Sequence, residues 1–341
     1  MDSRERVRRT LEFDHPDRIP RDLWVLPWAR LNHPSELAAI ERDFPWDTVC
    51  PPVEYSKPPR SEGDRHAAGT SRDEWGCAFT SIQDGAIGEV KDPLIRDWET
   101  DGAEYKFPVE LLTFDRELVN RFCRANTLHV RAGFAAHPFE RLQYLRGSGN
   151  LYLDLAARSE GFLPFLARLH AFNCELLEEW AKTEVDALSM LDDWGAQNAL
   201  LISPKTWREL FKPLYREYVA IAHDHGKQMF MHSDGYIVDI YEDLIEIGVD
   251  ALNSQVFCMG WEKLERFRGR ITFWGEMDRQ HLLPHATVEE IRAAVASFNR
   301  HFYQSGGVIA QCEFGLLARP ENVRAALEAW DEGLGTVGDQ Q

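Results

Sequence analysis

The stretch Lys227–Gly235, KQMFMHSDG, passes from apolar to chemically active side chains within one short segment. Side chains alternate faces along a strand, so Phe230, His232 and Asp234 share one side and Met229 and Met231 the other. An imidazole beside a carboxylate can hold a metal, move a proton or fix a polar substrate. Val185–Gly195 (VDALSMLDDWG), Val249–Gln255 (VDALNSQ), Ile271–Asp278 (ITFWGEMD) and Gly307–Gly315 (GVIAQCEFG) follow the same pattern, with inert beginnings and reactive ends. Core packing alone does not explain that repetition. A shared pocket at the carboxyl ends of parallel strands does.

Within these ends, His232, Cys312, Asp234 and Glu276 form a candidate metal-ligand set. It matches a zinc site with three protein ligands and one open position. Asp193, Asp234 and Glu276 are the candidate catalytic carboxylates. Consecutive strand residues face opposite ways, so one of Asp192 and Asp193 enters the pocket, and Asp193 shares its side with the small Ala187 and Ser189. Asp192, Asn253, Gln255 and Trp274 are candidates for substrate contact. Arg131, in TLHVRAGF, is expected to point inward, where a buried guanidinium needs an anion: a substrate carboxylate or one of the aspartates. The plainer alternatives are that Cys312 packs as a small hydrophobe, that His232 bonds Asp234 or a carbonyl, and that either aspartate caps a loop. The pairs His223/His225 and His281/His285 imitate ligand spacing but fall at a helix end and in a proline-containing loop, and are read as surface features.

The elements that must position these groups can be read in order. Ser3–Leu11 predicts a helix, Arg21–Leu26 a first strand, Ser35–Asp43 a helix and Asp47–Pro51 a second strand. From Val53 to about Pro108 the helical period disappears, and DEWGCAFTSIQDGAIGEVKDP predicts an antiparallel hairpin turning at Asp84–Gly85, inserted over the pocket mouth. A helix at Asp115–Ala125 leads to the third strand, Thr127–Phe134. Phe139–Thr183 is helical in pattern and precedes the fourth strand at Val185. Ser203–Pro204 opens a helix that ends at Gly226. Ile237–Ile247, a short helix near Gly260–Phe267, a capped helix from Thr287 and a last helix from Pro320 separate the remaining strands. Eight alternating units without a dinucleotide-type glycine fingerprint predict an α/β fold, a (β/α)8 TIM barrel, with a β-hairpin insertion after the second strand. The expected organisation is a single barrel domain over 1–341 with its insertion at about 53–108.

The chain has 341 residues, 44% of them hydrophobic, and a formal net charge of −18. That balance suits a large core and argues against nucleic acid or an anionic membrane surface as partner. The opening MDSRERVRRTLEFDHPDRIP contains no apolar signal core, so a cytoplasmic location is expected. The six cysteines show no paired spacing of the disulfide or zinc-finger kind.

HSDG on the fifth strand, DDWG on the fourth, VDALN on the sixth, the closing ARPENVRAALEAW, the opening RERVRRTLEFDHPDRIP and the DEWGC hairpin together resemble the uroporphyrinogen decarboxylase superfamily. This superfamily includes zinc-dependent corrinoid and coenzyme-thiol methyltransferases. The decarboxylases carry an arginine-rich RQAGR motif near the N-terminus, where this chain has RDLWVLPWARL, and a histidine at the place of Cys312. The methyltransferase branch is the nearer likeness. There, the resemblance implies zinc held by the His and Cys of an HxC motif and by a later Cys. His232 and Cys312 match, whereas Asp234 stands where the second cysteine would be. Carboxylate in place of thiolate makes the metal harder and more Lewis-acidic. The resemblance thus implies a metal-dependent methyltransferase moving a methyl group between a small substrate or thiol and a corrinoid, the latter either a co-substrate or borne by a partner protein. Two other functions stay open: a decarboxylase or lyase acting on a carboxylate or tetrapyrrole, and a non-catalytic corrinoid- or tetrapyrrole-binding subunit.

Overall fold

A computed structural model describes residues 1–86 and 88–333. Eight parallel strands form a nearly closed barrel: β1 (Arg21–Val25), β2 (Thr48–Val49), β3 (His129–Ala136), β4 (Ala187–Leu191), β5 (Gln228–Ser233), β6 (Ala251–Ser254), β7 (Thr272–Trp274) and β8 (Val308–Phe314). Their order around the sheet is β1-β8-β7-β6-β5-β4-β3-β2. Asp47 draws the β1 and β2 edges together: its amide donates to the Arg21 carbonyl at 2.9 Å and its carboxylate accepts the Arg21 amide at 2.7 Å. β2 is shorter than its sequence suggests because Pro51 and Pro52 remove two ladder donors.

The barrel interior is filled by Ala187, Phe230, Ala251, Trp274 and Ile309, one from each of five neighbouring strands. Val7, on the N-terminal helix Ser3–Leu11, closes the amino end of that stack. The opposite strand faces, carrying Leu188, Met229, Met231, Leu252, Phe273 and Cys312, pack against the surrounding helices. Burial on both faces is the condition of a parallel barrel, and it is also what blurs strand parity in the sequence.

Ser203 accepts the Thr206 amide at 3.0 Å and Thr287 completes a capping box with Glu290, so the helices Pro204–Leu210 and Val288–Phe302 begin at these two caps. The helical pattern over Phe139–Thr183 divides into Pro138–Arg146, Ser148–Ala157 and Phe162–Ala181. Gly147, at φ 82°, makes the first break, and Arg158 and Gly161 in left-handed conformations make the second. The insertion is a three-stranded antiparallel sheet, Gly69–Arg72, Ala78–Ser81 and Glu89–Val90, one strand more than the expected hairpin. It is tied to the barrel by buried Arg141, which pairs with Asp73 at 2.5 Å and lies 4.4 Å from the Trp75 ring. Of the domain expected over 1–341, residues 334–341 lie outside the described residues, as does Ile87 within the insertion. Among the described residues, no helix is long and apolar enough to cross a membrane.

Candidate active site

The fourth and fifth strands end in loops that clasp each other backbone to backbone. The Gly195 amide donates to the Asp234 carbonyl at 3.0 Å, Asp192 to the His232 carbonyl at 3.1 Å, and Tyr236 to the Ala196 carbonyl at 2.8 Å. A Cβ on Gly195 would fall inside the Tyr236 amide and the Gly235 backbone, so this crossing requires the glycine of DDWG. The clasp brings Asp193 and Asp234 to the same side, and the Asp234 amide donates to Asp193 Oδ1 at 2.9 Å.

His232 sits between these carboxylates, its Nε2 3.5 Å from Asp193 Oδ1 and 3.5 Å from Asp234 Oδ1. Its other nitrogen is committed. Asn253 Nδ2 donates to the Trp274 carbonyl at 2.5 Å and to Gln311 Oε1 at 3.1 Å, which turns its Oδ1 toward His232 Nδ1 at 2.6 Å. Nδ1 therefore carries the proton, and in the neutral ring Nε2 presents a lone pair to two carboxylate oxygens. Three acceptors facing one another repel unless a cation or proton stands among them. Asp234 Oδ1 is buried and accepts no hydrogen bond among the described residues.

Arg279 answers part of this charge. It pairs with Asp234, with Glu276 Oε1 at 3.3 Å and with Glu313 Oε2 at 3.2 Å. One guanidinium thus serves three carboxyl groups, with Asp193 alongside as a fourth. Glu276 is almost fully buried, and its Oε2 has no partner among the described residues. Burial pushes its carboxyl well above the ordinary range; Arg279 opposes this and Asp234 and Glu313 add to it. Burial, then the Asp234 charge, pushes Asp193 up to about 6. Burial likewise raises Glu313 against the pull of Arg279. Beside this cluster lies a cavity of about 130 Å³ lined by Gln255, Phe257, Cys258, Glu276, Arg279 and His281, among others. A second cavity, about 360 Å³, lies between the end of β3 and the insertion, walled by Tyr55, Trp75, Trp180 and Phe134. The insertion thus lines the mouth side of the barrel.

Several sequence-predicted residues stand elsewhere. Cys312 does not join His232: Ile309, Gln311 and Glu313 face the barrel interior or mouth, so Cys312 faces the helices, buried in the apolar core, and burial raises its thiol strongly. Asp192 leaves the pocket to hold the start of the helix Pro138–Arg146, accepting the Phe139 and Glu140 amides at 3.0 and 2.7 Å and the Tyr215 hydroxyl. Its carboxyl is pushed well up by burial. Arg131 finds no carboxylate among the described residues. Its guanidinium lies 4.6 Å from the Trp274 ring and donates to Ser189 Oγ at 3.1 Å. Trp274 is sealed beneath the site, donating to Asp22 Oδ2 at 2.9 Å. Asn253 positions His232, and Gln255 lines the smaller cavity while accepting the Gly235 amide at 3.0 Å. Of the four predicted ligands, His232 and Asp234 come together, joined by Asp193, while Glu276 stands across Arg279.

Sequence reasoning missed Arg279 and Glu313. Arg279 follows GEMD directly, and Glu313 shares the parity of Gln311; choosing Cys312 as the inward residue on that strand excluded its neighbour.

The model of the family described as uroporphyrinogen decarboxylase (URO-D) matches residues 83–333, well over half the chain. The chain belongs to this family. Among solved structures it is similar to a methyltransferase from Methanosarcina mazei, with 15% identity, 97% of this chain and 99% of that one covered, and a TM-score of 0.67. A xylanase 10B from Thermotoga maritima aligns over 98% of this chain and 99% of its own at 11% identity and a TM-score of 0.46. No curated protein matches in sequence. The first likeness establishes the shared fold of this uroporphyrinogen decarboxylase family member.

Proposed function

We propose that this family member is a divalent-metal-dependent methyltransferase, working in the cytoplasm, that takes a methyl group from a small oxygen- or nitrogen-methylated donor and passes it to a corrinoid carrier. The observation that carries the metal dependence is the His232 Nε2 lone pair facing Asp193 Oδ1 and Asp234 Oδ1, each at 3.5 Å. Nitrogen and oxygen donors about 2.1 Å from one ion stand roughly 3–3.5 Å apart, so a small contraction would complete three ligands. The thiolate set implied by the family likeness does not fit, because Cys312 faces the helices. An imidazole with two carboxylates is a harder set, suited to a donor's oxygen or nitrogen rather than to a soft thiol. Methyl transfer is supported by membership in the family and by the methyltransferase named among the structural neighbours.

A bound divalent cation would supply Lewis acidity toward the donor heteroatom. The chain's own residues supply the rest. Asn253 holds His232 in one tautomer and orientation. Glu276, protonated in its buried setting, lines the cavity and carries the proton the leaving heteroatom needs. As the methyl carbon passes to the carrier's nucleophile, the carbon–heteroatom bond breaks, and its electron pair stays on the heteroatom, which takes the Glu276 proton. Arg279, 3.3 Å away, then stabilises the carboxylate until water returns the proton.

The test is methylation of a reduced corrinoid from a panel of methyl ethers and methylamines, with native, chelated and metal-restored protein. Chelation should abolish turnover and restoration recover it. Glu276→Gln should lower kcat most for donors whose leaving heteroatom most needs a proton. Full activity in metal-free protein would refute the metal dependence, and carbon dioxide release in place of methyl transfer would refute the reaction class.

A further inference from the structure

A second cluster of metal-binding side chains lies on the outside of the barrel, remote from the strand ends. His170 and Cys174 are four residues apart on the helix Phe162–Ala181, so they share one face, and Glu217 meets them from the helix Lys212–Asp224. Each offers one donor atom, and the three atoms lie within 4.8 Å of one another. We propose that His170, Cys174 and Glu217 form a zinc site that clamps these two helices together.

The separations fit zinc. Cys174 Sγ is 3.7 Å from both His170 nitrogens and 3.7 Å from Glu217 Oε1, while His170 Nε2 is 2.9 Å from the other carboxylate oxygen, Oε2. Tetrahedral zinc, with sulfur at about 2.3 Å and nitrogen or oxygen at about 2.0 Å, sets its ligand atoms roughly 3.3–3.6 Å apart. The short edge ends on Glu217, an exposed side chain with room to turn.

The histidine is also presented for this task. Its Nδ1 lies 3.1 Å from the Tyr218 hydroxyl, which itself receives a hydrogen bond from buried Asn173 at 3.3 Å. In the absence of a metal the Tyr218 O–H, its oxygen already accepting from Asn173, donates to Nδ1 while Nε2–H meets Glu217 Oε2; a cation at Nε2 would replace that proton, with the hydroxyl then accepting from Nδ1–H. A polar partner behind a ligating imidazole fixes tautomer and ring direction in metal sites generally. Without a cation, burial and the Glu217 charge push the Cys174 thiol up to about 12, so metal binding there releases a proton. Water completes the fourth position on the solvent side.

This site differs chemically from the barrel mouth, whose donors are an imidazole and carboxylates. Cobalt distinguishes them, because only a thiolate ligand gives the near-ultraviolet sulfur-to-cobalt charge-transfer absorption. Metal-free full-length protein titrated with Co²⁺, then with Zn²⁺, should show that band growing with cobalt and vanishing as zinc displaces it. Cys174→Ser and His170→Ala should lose the band and one equivalent of bound zinc, while His232→Ala keeps both. Glu217→Gln alters an exposed side chain and should weaken zinc binding in a protein whose fold is intact by circular dichroism. Zinc should raise the melting temperature of His232→Ala but not of the double variant His232→Ala/Cys174→Ser. A wild-type protein without the band, a band that persists in Cys174→Ser, or unchanged zinc affinity in Glu217→Gln would each overturn the proposal.

Discussion

At the amino ends of the strands, Asp47, Asp186 and Asp250 each hold a backbone amide of a neighbouring strand together with a basic side chain. Asp47 accepts the Arg21 amide, the Ser3 hydroxyl and the Arg6 and Arg18 guanidinium groups, all at 2.7 Å. Asp186 accepts the Val130 amide at 2.7 Å and Arg4 Nε at 3.0 Å; Asp250 the Met229 amide at 2.7 Å and sits 2.9 Å from His223 Nε2. At the carboxyl ends, Asp193 and Asp234 face the unprotonated edge of His232, and Asp234 and Glu276 each keep a buried oxygen without a partner among the described residues. The three amino-end aspartates thus close their hydrogen bonds, whereas at the mouth Asp192 does so but Asp234 and Glu276 each leave an oxygen open. The amino end closes its polar contacts, as a face that maintains the fold does, whereas the mouth keeps the acceptors that the proposed cation would fill.

Asp47 carries the largest expected effect on stability in this comparison. Asp47→Ala would leave the Arg6 and Arg18 guanidinium groups and the Arg21 amide without their acceptor, and removing one partner of a buried ion pair costs about 3–5 kcal/mol. A urea titration should show the midpoint falling with the slope unchanged. A loss under about 1 kcal/mol would mean the amino-end network contributes little beyond solvent-exposed pairs.

His129 sharpens it next. The ring lies inside the amino end of the barrel, and burial pushes its pKa down to about 4, against the pull of Asp186. Because the folded pKa is depressed below the unfolded value near 6.5, the stabilisation is full above pH 6.5 and is lost as pH falls toward 4. The shift corresponds to about 3 kcal/mol over that window. Denaturant midpoints for the native protein should fall across it more steeply than those of His129→Asn, and equal slopes would contradict the assignment.

Asn253→Ala tests the mouth by a different route. Without Oδ1, His232 Nδ1 loses its acceptor and the ring is free to choose either tautomer, while the Trp274 carbonyl loses a buried donor. Lost hydrogen bonds of this kind cost about 1–3 kcal/mol. Affinity for the divalent cation should fall about ten- to a hundredfold, which calorimetric titration would read. Unchanged affinity would leave Asn253 a purely structural residue.

Most of the barrel was legible because its signals are local. Capping at Ser203 and Thr287, the break at Gly226, and five apolar runs with polar ends each depend on a few adjacent residues. Parity was legible where a strand mixes classes: His232 and Asp234 alternate with Met229 and Met231. It failed in GVIAQCEFG, where both faces are buried and Gln311 and Glu313 compete with Cys312 for the interior. Arg131 misled for a related reason. A buried guanidinium was expected to find an anion, whereas the ring of Trp274 at 4.6 Å provides its main neighbour, and no sequence pattern announces which aromatic lies across a barrel. The pairing of Asp193 with His232 depends on two loops crossing, and the glycines that permit it read from sequence only as turns.

Asp193→Asn carries the smallest expected change in stability and the sharpest test of the contrast between the ends. The substitution keeps the side-chain volume and the acceptor for the Asp234 amide, and removes one of two negative charges facing His232 Nε2. In metal-free protein the mutual repulsion of Asp193 and Asp234 is relieved, so stability should rise slightly. Because the Asp193 side chain is still about a third exposed, solvent screening holds that gain to roughly 1 kcal/mol or less. Divalent-metal affinity should move the opposite way, since a carboxylate ligand becomes a weaker neutral one. A residue that merely maintains the fold cannot gain stability and lose ligand on the same substitution; Asp47→Ala, at the other end, should lose stability without any such opposing gain. Should Asp193→Asn instead destabilise by several kcal/mol, the carboxylate would be closing the structure as Asp47 does, and the distinction between the two ends would not hold.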